Sequence, residues 1–212
     1  MDDLPDRIEH TVLGPTTTAQ AVRTCLDTAR NYGMRACIPP WALELVDDDT
    51  VPLTTVIDFP HGQGATDAVS AAAQQAWEAG ADELDLVCNV GRLQDGEDDA
   101  VVAHLTEVVA TVPIPVKVIV EAPLLADDDL HRVGQLAAEA DAAYLKTATG
   151  FSDGGATTHD VGILRQYLPV KASGGVGSWT DAEAMFDAGA ERIGASAGDQ
   201  IVEQWRETRG GD

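Results

Sequence analysis

Short β-rich runs alternate with Ala-rich stretches of helical spacing along the whole sequence. Runs rich in branched residues predict eight strands, at 8–13, 34–38, 53–59, 83–90, 116–121, 143–149, 170–174 and 192–196. Six of the intervening stretches predict helices, at 18–32, 66–79, 98–112, 127–139, 158–167 and 180–188. This alternation favours a parallel sheet with helical crossovers, and eight such units predict a (β/α)8 barrel. A doubly wound open sheet is the alternative that the alternation leaves open.

The 212 residues predict a single domain over 1–212, with a flexible tail at 208–212. The start, MDDLPDRIEH, does not resemble a signal peptide, and no run of about 18 apolar residues predicts a membrane span. The three cysteines, Cys25, Cys37 and Cys88, are an odd number without metal-type spacing. We therefore expect a chain without disulfides, located in a reducing cytoplasm.

The charge is strongly negative, since 13 basic residues stand against 36 acidic ones and the formal net charge is −23 at pH 7. Such a surface repels phosphate backbones, so we expect no nucleic-acid partner. The abundance of Asp and the scarcity of Lys suit a cytoplasm at molar salt, where charges are screened within about 3 Å. The composition therefore indicates a halophilic protein whose stability depends on salt, with a merely acidic mesophilic protein as the alternative.

The only three lysines of the sequence all fall inside predicted strands, at positions 117, 146 and 171. Strand side chains alternate between two faces. Branched residues fill the face opposite Lys117, which places that lysine on the inner face of a barrel, and the same parity applies to Lys146 and Lys171. In the fourth strand Asp85 lies on the polar face too. Lysine is almost never buried without a partner or a function, so these residues predict an active site.

Clustered lysines have a definite chemical meaning. Burial and neighbouring cations both disfavour a charged ammonium, so we expect a lowered lysine pKa. A neutral amine can form a Schiff base with a carbonyl, and a nearby carboxylate and second lysine can move protons. The alternative is a set of structural ion pairs, such as Lys117 with Glu121 or Asp85.

Small residues after the last two strands predict a phosphate site. Ser173, Gly174 and Gly175 follow the seventh strand, while Gly194 and Ser196 lie at the end of the eighth. In (β/α)8 barrels these loops often bind phosphate through backbone N–H groups and a helix N-terminus. Two ordinary glycine turns would give the same pattern.

The phrases IEHTVL, FPHG, GADELDLV, VKVIVE, YLKTATGF, VKASGGV and RIGAS resemble deoxyribose-phosphate aldolase, a class I aldolase with a (β/α)8 fold. The resemblance runs from about residue 8 to residue 201. It implies that Lys146 forms the Schiff base, that Asp85 and Lys171 donate and accept protons, and that Lys117 supports them. It also implies phosphate contacts from Gly150, Gly174, Gly175 and Ser196.

The implied reaction is reversible cleavage of 2-deoxy-D-ribose 5-phosphate to D-glyceraldehyde 3-phosphate and acetaldehyde, in deoxyribonucleoside catabolism. It needs no metal and no organic cofactor, and the family suggests a homo-oligomer, dimer or larger. Five positions depart from the family pattern: Glu9 replaces Asp, Asp58 replaces Gly, Pro123 enters an ETG phrase, Gly177 replaces Arg and Ala197 replaces Ser.

Two other functions stay open at this point. One is a phosphosugar isomerase or another phosphate-binding barrel enzyme, in which lysine acts only as an electrophile. The other is a catalytically inactive barrel that serves binding or assembly.

Overall fold

The computed structural model describes residues 3–46 and 50–209 and has a closed barrel of parallel strands at its centre. Within these residues the strands β1 to β8 are Ile8–Thr11, Arg35–Ile38, Leu53–Ile57, Glu83–Val87, Val116–Ile119, Tyr144–Lys146, Val170–Ser173 and Arg192–Ala195. The predicted strands are all present, and all but β2, which ends at Ile38 as predicted, end earlier than expected. Their last residues instead begin the loops that surround the mouth of the barrel.

Helices follow the strands and cover the outside of the barrel. In the described part of the chain, α1 to α8 are Ala19–Tyr32, Thr66–Glu78, Val90–Gln94, Asp98–Thr111, Asp127–Glu139, Thr158–Leu164, Trp179–Ala188 and Gly198–Arg209. Short 3-10 helices lie at Leu4–Arg7, Pro40–Leu45 and Ala122–Leu124.

Two helices were not expected from the sequence. Helix α3 begins at Val90, which was predicted to end a strand, because the Asn89 side chain accepts a hydrogen bond from the backbone N–H of Arg92 and caps the helix. Helix α8 was not predicted and continues through Arg209. Residues 208 and 209 of the predicted tail are therefore helical, and 210–212 lie outside the described residues.

The barrel closes because β1 pairs with both β2 and β8, which excludes the open-sheet alternative. The register sets Asp85 beside Lys117 and Lys146 beside Lys171. Apolar residues of the outer strand faces, such as Leu84 and Val118, are fully buried under the helices. The interior face carries the charged side chains of Asp85 and Lys117 beside apolar ones such as Val87 and Ile119. Within the described residues, no helix is both long and apolar enough to cross a bilayer.

Candidate active site

Asp85 lies at the centre of the barrel and contacts all three lysines. Its Oδ2 accepts hydrogen bonds from the Nζ atoms of Lys146 and Lys171, each at 2.8 Å. Its Oδ1 lies 3.1 Å from Lys117 Nζ. The structure confirms the prediction that these four side chains lie in the barrel interior. Their strands, β4 to β7, are neighbours, and each of the four residues occupies an inward-facing position on its strand.

Two further carboxylates complete the cluster. Glu9 on β1 bonds Lys171 through Oε2, and its Oε1 lies 3.5 Å from Lys117 Nζ. Glu83, two residues before Asp85 on the same face, lies 2.5 Å from Lys117 Nζ and 2.5 Å from Arg192. Sequence reasoning treated Glu9 only as a departure and did not assign Glu83. Both could have been predicted from the alternation of side chains along the first and fourth strands, which places Glu9 and Glu83 on the inner face.

The neighbouring carboxylates shift the pKa values of two lysines in the direction opposite to the prediction. Burial alone would lower the pKa of Lys171, but the charges of Asp85 and Glu9 outweigh burial and raise it above its ordinary value. Burial likewise acts to lower the pKa of Lys117, and Asp85 and Glu9 again raise it. The expectation of a lowered lysine pKa is therefore wrong for these two residues. They remain charged because the strands bring acids into the same interior.

The pKa values of the acidic residues shift downward. Burial alone would raise the pKa of Glu9, but the neighbouring Lys117 and Lys171 lower it to about 2. Burial also acts to raise the pKa of Asp85, and the three lysines hold it well below its ordinary value. Both carboxylates are therefore ionised at neutral pH.

A cavity of about 400 Å³ opens above this cluster at the carboxyl ends of the strands. Lys146 lines it, while Lys117 and Lys171 are completely buried beneath. Every residue predicted to bind phosphate also lines this cavity: Gly150, Ser173, Gly174, Gly175, Gly194 and Ser196. The structure thus brings the predicted nucleophile and the predicted phosphate loops to one space.

Glycine is favoured at three positions of this wall. Gly174 and Gly175 both have positive φ, 92° and 76°, so their backbone turns in a way that side chains disfavour. A Cβ on Gly194 would lie 2.7 Å from Lys171 Cε. The absence of a side chain at Gly194 therefore lets Lys171 extend to Asp85, a role that sequence reasoning did not assign.

The loop after β6 is fixed by a buried acid. Glu121 Oε2 accepts a hydrogen bond of 2.6 Å from the Thr149 hydroxyl, and Oε1 accepts one of 3.2 Å from the Thr149 N–H. The Thr149 oxygen in turn accepts from the Phe151 N–H. Phe151 lines the cavity and stacks edge-on against Phe59, with ring centroids 5.2 Å apart.

One departure from the family pattern has a local explanation. Asp58 stands where the resembled family has Gly, and its backbone has a positive φ of 54°. Asp tolerates this conformation better than most residues. Both of its carboxylate oxygens accept from the Gly64 N–H, at 3.0 and 2.9 Å, which stabilises the turn.

Glu9, Cys37 and Asp85 offer ligand atoms within 4.8 Å of one another, which is close enough for a metal ion. Lys171 already contacts both carboxylates of this group, and burial raises the pKa of the Cys37 thiol to about 11. A metal ion would have to displace that ammonium and bind a protonated thiol. The group is therefore better suited to ion pairing than to metal binding.

No family model matches the chain. The chain is 74% identical over 213 residues to the deoxyribose-phosphate aldolase of Haloarcula marismortui, covering 100% of this chain and 92% of that protein. It is 54% identical to the enzyme of the same name from Haloquadratum walsbyi, covering 96% and 95%. Both organisms are halophilic archaea, in agreement with the composition.

The structure is similar to a solved structure described as the unique tetrameric structure of deoxyribose phosphate aldolase from Aeropyrum pernix. The TM-score is 0.89 at 32% identity, and the match covers 97% of this chain and 92% of that one.

Proposed function

The chain belongs to the deoxyribose-phosphate aldolase family, and on that premise we propose that it cleaves 2-deoxy-D-ribose 5-phosphate through a Schiff base on Lys146. The products are D-glyceraldehyde 3-phosphate and acetaldehyde. The observation that carries the assignment is access: Lys146 lines the cavity, and the other two lysines are enclosed in ion pairs below it. A nucleophile must reach the substrate carbonyl, and Lys146 is the lysine with that access.

The reaction runs through a covalent imine. The amine of Lys146 in its neutral form adds to the aldehyde carbon of the open-chain sugar, and loss of water together with uptake of one proton gives a protonated imine. Removal of the proton from the C3 hydroxyl then breaks the bond between C2 and C3, which releases glyceraldehyde 3-phosphate. The electron pair of that bond remains on the lysine adduct as an enamine. Protonation at carbon and addition of water return the amine and release acetaldehyde.

Each turnover needs groups that accept and return protons beside the imine. Asp85 contacts both Lys146 and Lys171 through a single oxygen, so a proton on Lys171 has a short route through this carboxylate. The raised pKa of Lys171 keeps it protonated and the lowered pKa of Asp85 keeps it ionised, so this contact holds a proton on one side and an acceptor oxygen on the other. Lys117 contacts the other oxygen of the Asp85 carboxylate and balances part of its negative charge.

The substrate phosphate would lie against the loops after β6, β7 and β8. Gly174 and Gly175, the Gly150 turn and the Ser196 segment before α8 form this side of the cavity. The arrangement is typical of phosphate sites in (β/α)8 barrels. It leaves the sugar chain extending from this wall toward Lys146.

The metabolic role, cellular location and assembly of the enzyme are proposed from its family. We propose a role in deoxyribonucleoside catabolism, a cytoplasmic location and assembly into a homo-oligomer. The tetramer described for the Aeropyrum pernix protein supports an assembly larger than the monomer.

The test is borohydride trapping in molar KCl with acetaldehyde or deoxyribose 5-phosphate, followed by peptide mass mapping. We expect a reduced adduct on Lys146. Lys146→Arg places a guanidinium beside Asp85 but cannot form an imine, so it should fold and lose both trapping and turnover. Borohydride without a carbonyl substrate is the control.

An active Lys146→Arg variant, or turnover by the wild type without a trapped adduct, would contradict the assignment. The second result would favour a barrel in which lysine acts only as an electrophile. A folded protein with neither turnover nor adduct would favour a binding role.

A further inference from the structure

We propose that Glu83 is a positioning residue of the aldolase reaction: it holds the Lys117 ammonium against one oxygen of Asp85. The other oxygen of that carboxylate is then left to Lys146 and Lys171. The inference rests on the proposed function and deepens it, because it gives a part in turnover to a residue outside the cavity. Glu83 lies at the amino end of β4, whereas the cavity opens at the carboxyl ends of the strands.

The Glu83 carboxylate is fixed by arginines from two other strands. Its Oε1 accepts a hydrogen bond of 2.8 Å from Arg35 on β2, and its Oε2 accepts one of 2.5 Å from Arg192 on β8. The Arg192 guanidinium in turn lies over the Tyr144 ring, 4.8 Å from its centroid. Burial alone would raise the pKa of Glu83, but Lys117 and Arg192 lower it. The carboxylate is therefore ionised at neutral pH and held in one orientation.

Glu83 has one further contact, and it points toward the reaction centre. Its Oε2 lies 2.5 Å from Lys117 Nζ, closer than the other acceptors around this completely buried ammonium. Those acceptors are Asp85 Oδ1 at 3.1 Å, Thr54 Oγ1 at 3.4 Å and Glu9 Oε1 at 3.5 Å. Two arginines would satisfy a carboxylate that served only the fold. The third contact instead joins Glu83 to an ammonium that touches Asp85.

The position of Lys117 matters because a buried ammonium must be paired. Without the charge of Glu83, Lys117 would depend more strongly on Asp85. That carboxylate already pairs with Lys146 and Lys171 through its other oxygen. A third ammonium drawn closer competes for the negative charge on which proton transfer at the imine depends. Loss of Glu83 should therefore slow turnover while the cavity wall stays as it is.

Glu83→Gln keeps the size of the side chain and removes its charge. We expect kcat for deoxyribose 5-phosphate to fall about 10- to 100-fold, while KM changes less than about threefold. KM should hold because the cavity lies at the opposite end of the strands from Glu83. Steady-state kinetics in molar KCl measure this split, and circular dichroism establishes that the variant is folded.

Asp82→Asn is the matched control for the loss of charge. Asp82 precedes Glu83 in the chain but is exposed, and it accepts a hydrogen bond of 2.7 Å from the Leu53 N–H. The amide oxygen of Asn can accept the same bond. We expect kcat of this variant to stay within about twofold of the wild type.

Arg35→Gln separates positioning from support of the fold. It breaks the same ion pair with Glu83, but Arg192 still holds the carboxylate against Lys117. If Glu83 served only the fold, kcat would fall in step with the melting temperature in both variants. We expect Arg35→Gln instead to lower kcat less than about threefold, even where its melting temperature falls as far as that of Glu83→Gln.

Three results would overturn the inference. One is a folded Glu83→Gln variant with the kcat of the wild type. Another is an Arg35→Gln variant that loses as much kcat for the same loss of melting temperature. The third is a rise in KM as large as the fall in kcat, which would assign the effect to the cavity.

If Glu83→Gln does not fold, Glu83→Asp decides. It keeps the charge for the arginines but withdraws the carboxylate from Lys117, so kcat should still fall several-fold with KM nearly unchanged. Full kcat in this variant would show that the position of the carboxylate is not needed. Trapping of the wild type at Lys146 tests the proposed function separately, because its outcome does not depend on any Glu83 variant.

Discussion

A single carboxylate oxygen organises the chemistry at the residue scale. Oδ2 of Asp85 accepts from both Lys146 and Lys171, so the nucleophile and the proposed proton donor are linked through one atom. Buried ions are costly unless each one is paired. Here Glu9 and Glu83 supply the additional negative charge that keeps Lys117 and Lys171 ionised. The cluster therefore separates two roles: Lys146 has access to the cavity, and the lysines below it hold protons.

Glu9 gives a prediction about pH and stability. Its pKa is about 2 in the folded protein against an ordinary value of 4.5, so its contribution to stability is complete above 4.5 and is lost as the pH falls through 2. Glu9→Gln should lower the free energy of unfolding by about 3 kcal/mol at pH 7, and by progressively less between pH 4.5 and 2. Denaturant unfolding in molar KCl at several pH values measures this difference.

Glu183→Gln is the matched control, because Glu183 is exposed on α7. It should change the unfolding free energy little at any pH. A Glu9→Gln deficit that stays the same from pH 7 to pH 3 would show that the side chain acts by packing rather than by charge.

At the scale of elements, β5 and β6 are joined at their carboxyl ends by the bonds between Glu121 and Thr149. This link holds the turn that carries Gly150 and Phe151 into the cavity. Thr149→Val keeps the shape of the side chain but removes the hydroxyl. It leaves the buried Glu121 carboxylate with only the backbone N–H as a partner, an arrangement that costs about 1–3 kcal/mol.

We therefore expect Thr149→Val to raise KM for deoxyribose 5-phosphate several-fold, with a smaller effect on kcat, because Lys146 is held separately by Asp85. Thr149→Ser restores the hydroxyl and should return KM close to the wild-type value. Steady-state kinetics of the two variants measure the split. A Val variant that loses kcat while KM is unchanged would assign Thr149 to the chemistry instead.

The sequence predicts the strands and the parity of the central residues well, because alternation on a strand depends only on neighbours. Asp85 and the three lysines could be placed on one interior without the fold. The direction of the pKa shift of Lys171 could not be predicted, because it depends on the balance between burial and the combined charges of Asp85 and of Glu9, which is 162 positions away in the chain. Helix α3 was missed for a local reason: Val90 continues the apolar pattern of β4, but the Asn89 cap ends the strand.

At the scale of the whole molecule, the lysine charges lie inside the barrel, whereas arginines such as Arg23, Arg165 and Arg206 are exposed. All three lysines and Arg192 belong to the interior cluster, whereas the acidic residues are spread over the exposed faces of the helices. Buried ion pairs are screened little by salt, but exposed like charges are screened strongly. Salt should therefore act on the surface and leave the catalytic cluster unchanged.

The net charge of −23 gives the last prediction, which concerns thermal stability. Repulsion among exposed carboxylates opposes the compact state, and KCl relieves it by screening. We expect the melting temperature to rise by about 10 °C or more between roughly 0.2 and 3 M KCl, which corresponds to about 3–5 kcal/mol for a chain of this size. Scanning calorimetry measures the shift, and sucrose at matched osmolality is the control that stabilises without screening. Full stability in dilute buffer, or an equal gain in sucrose, would contradict charge repulsion as the cause. Because the interior ion pairs are shielded from solvent, the fraction of Lys146 trapped per folded molecule should stay constant across the same salt range.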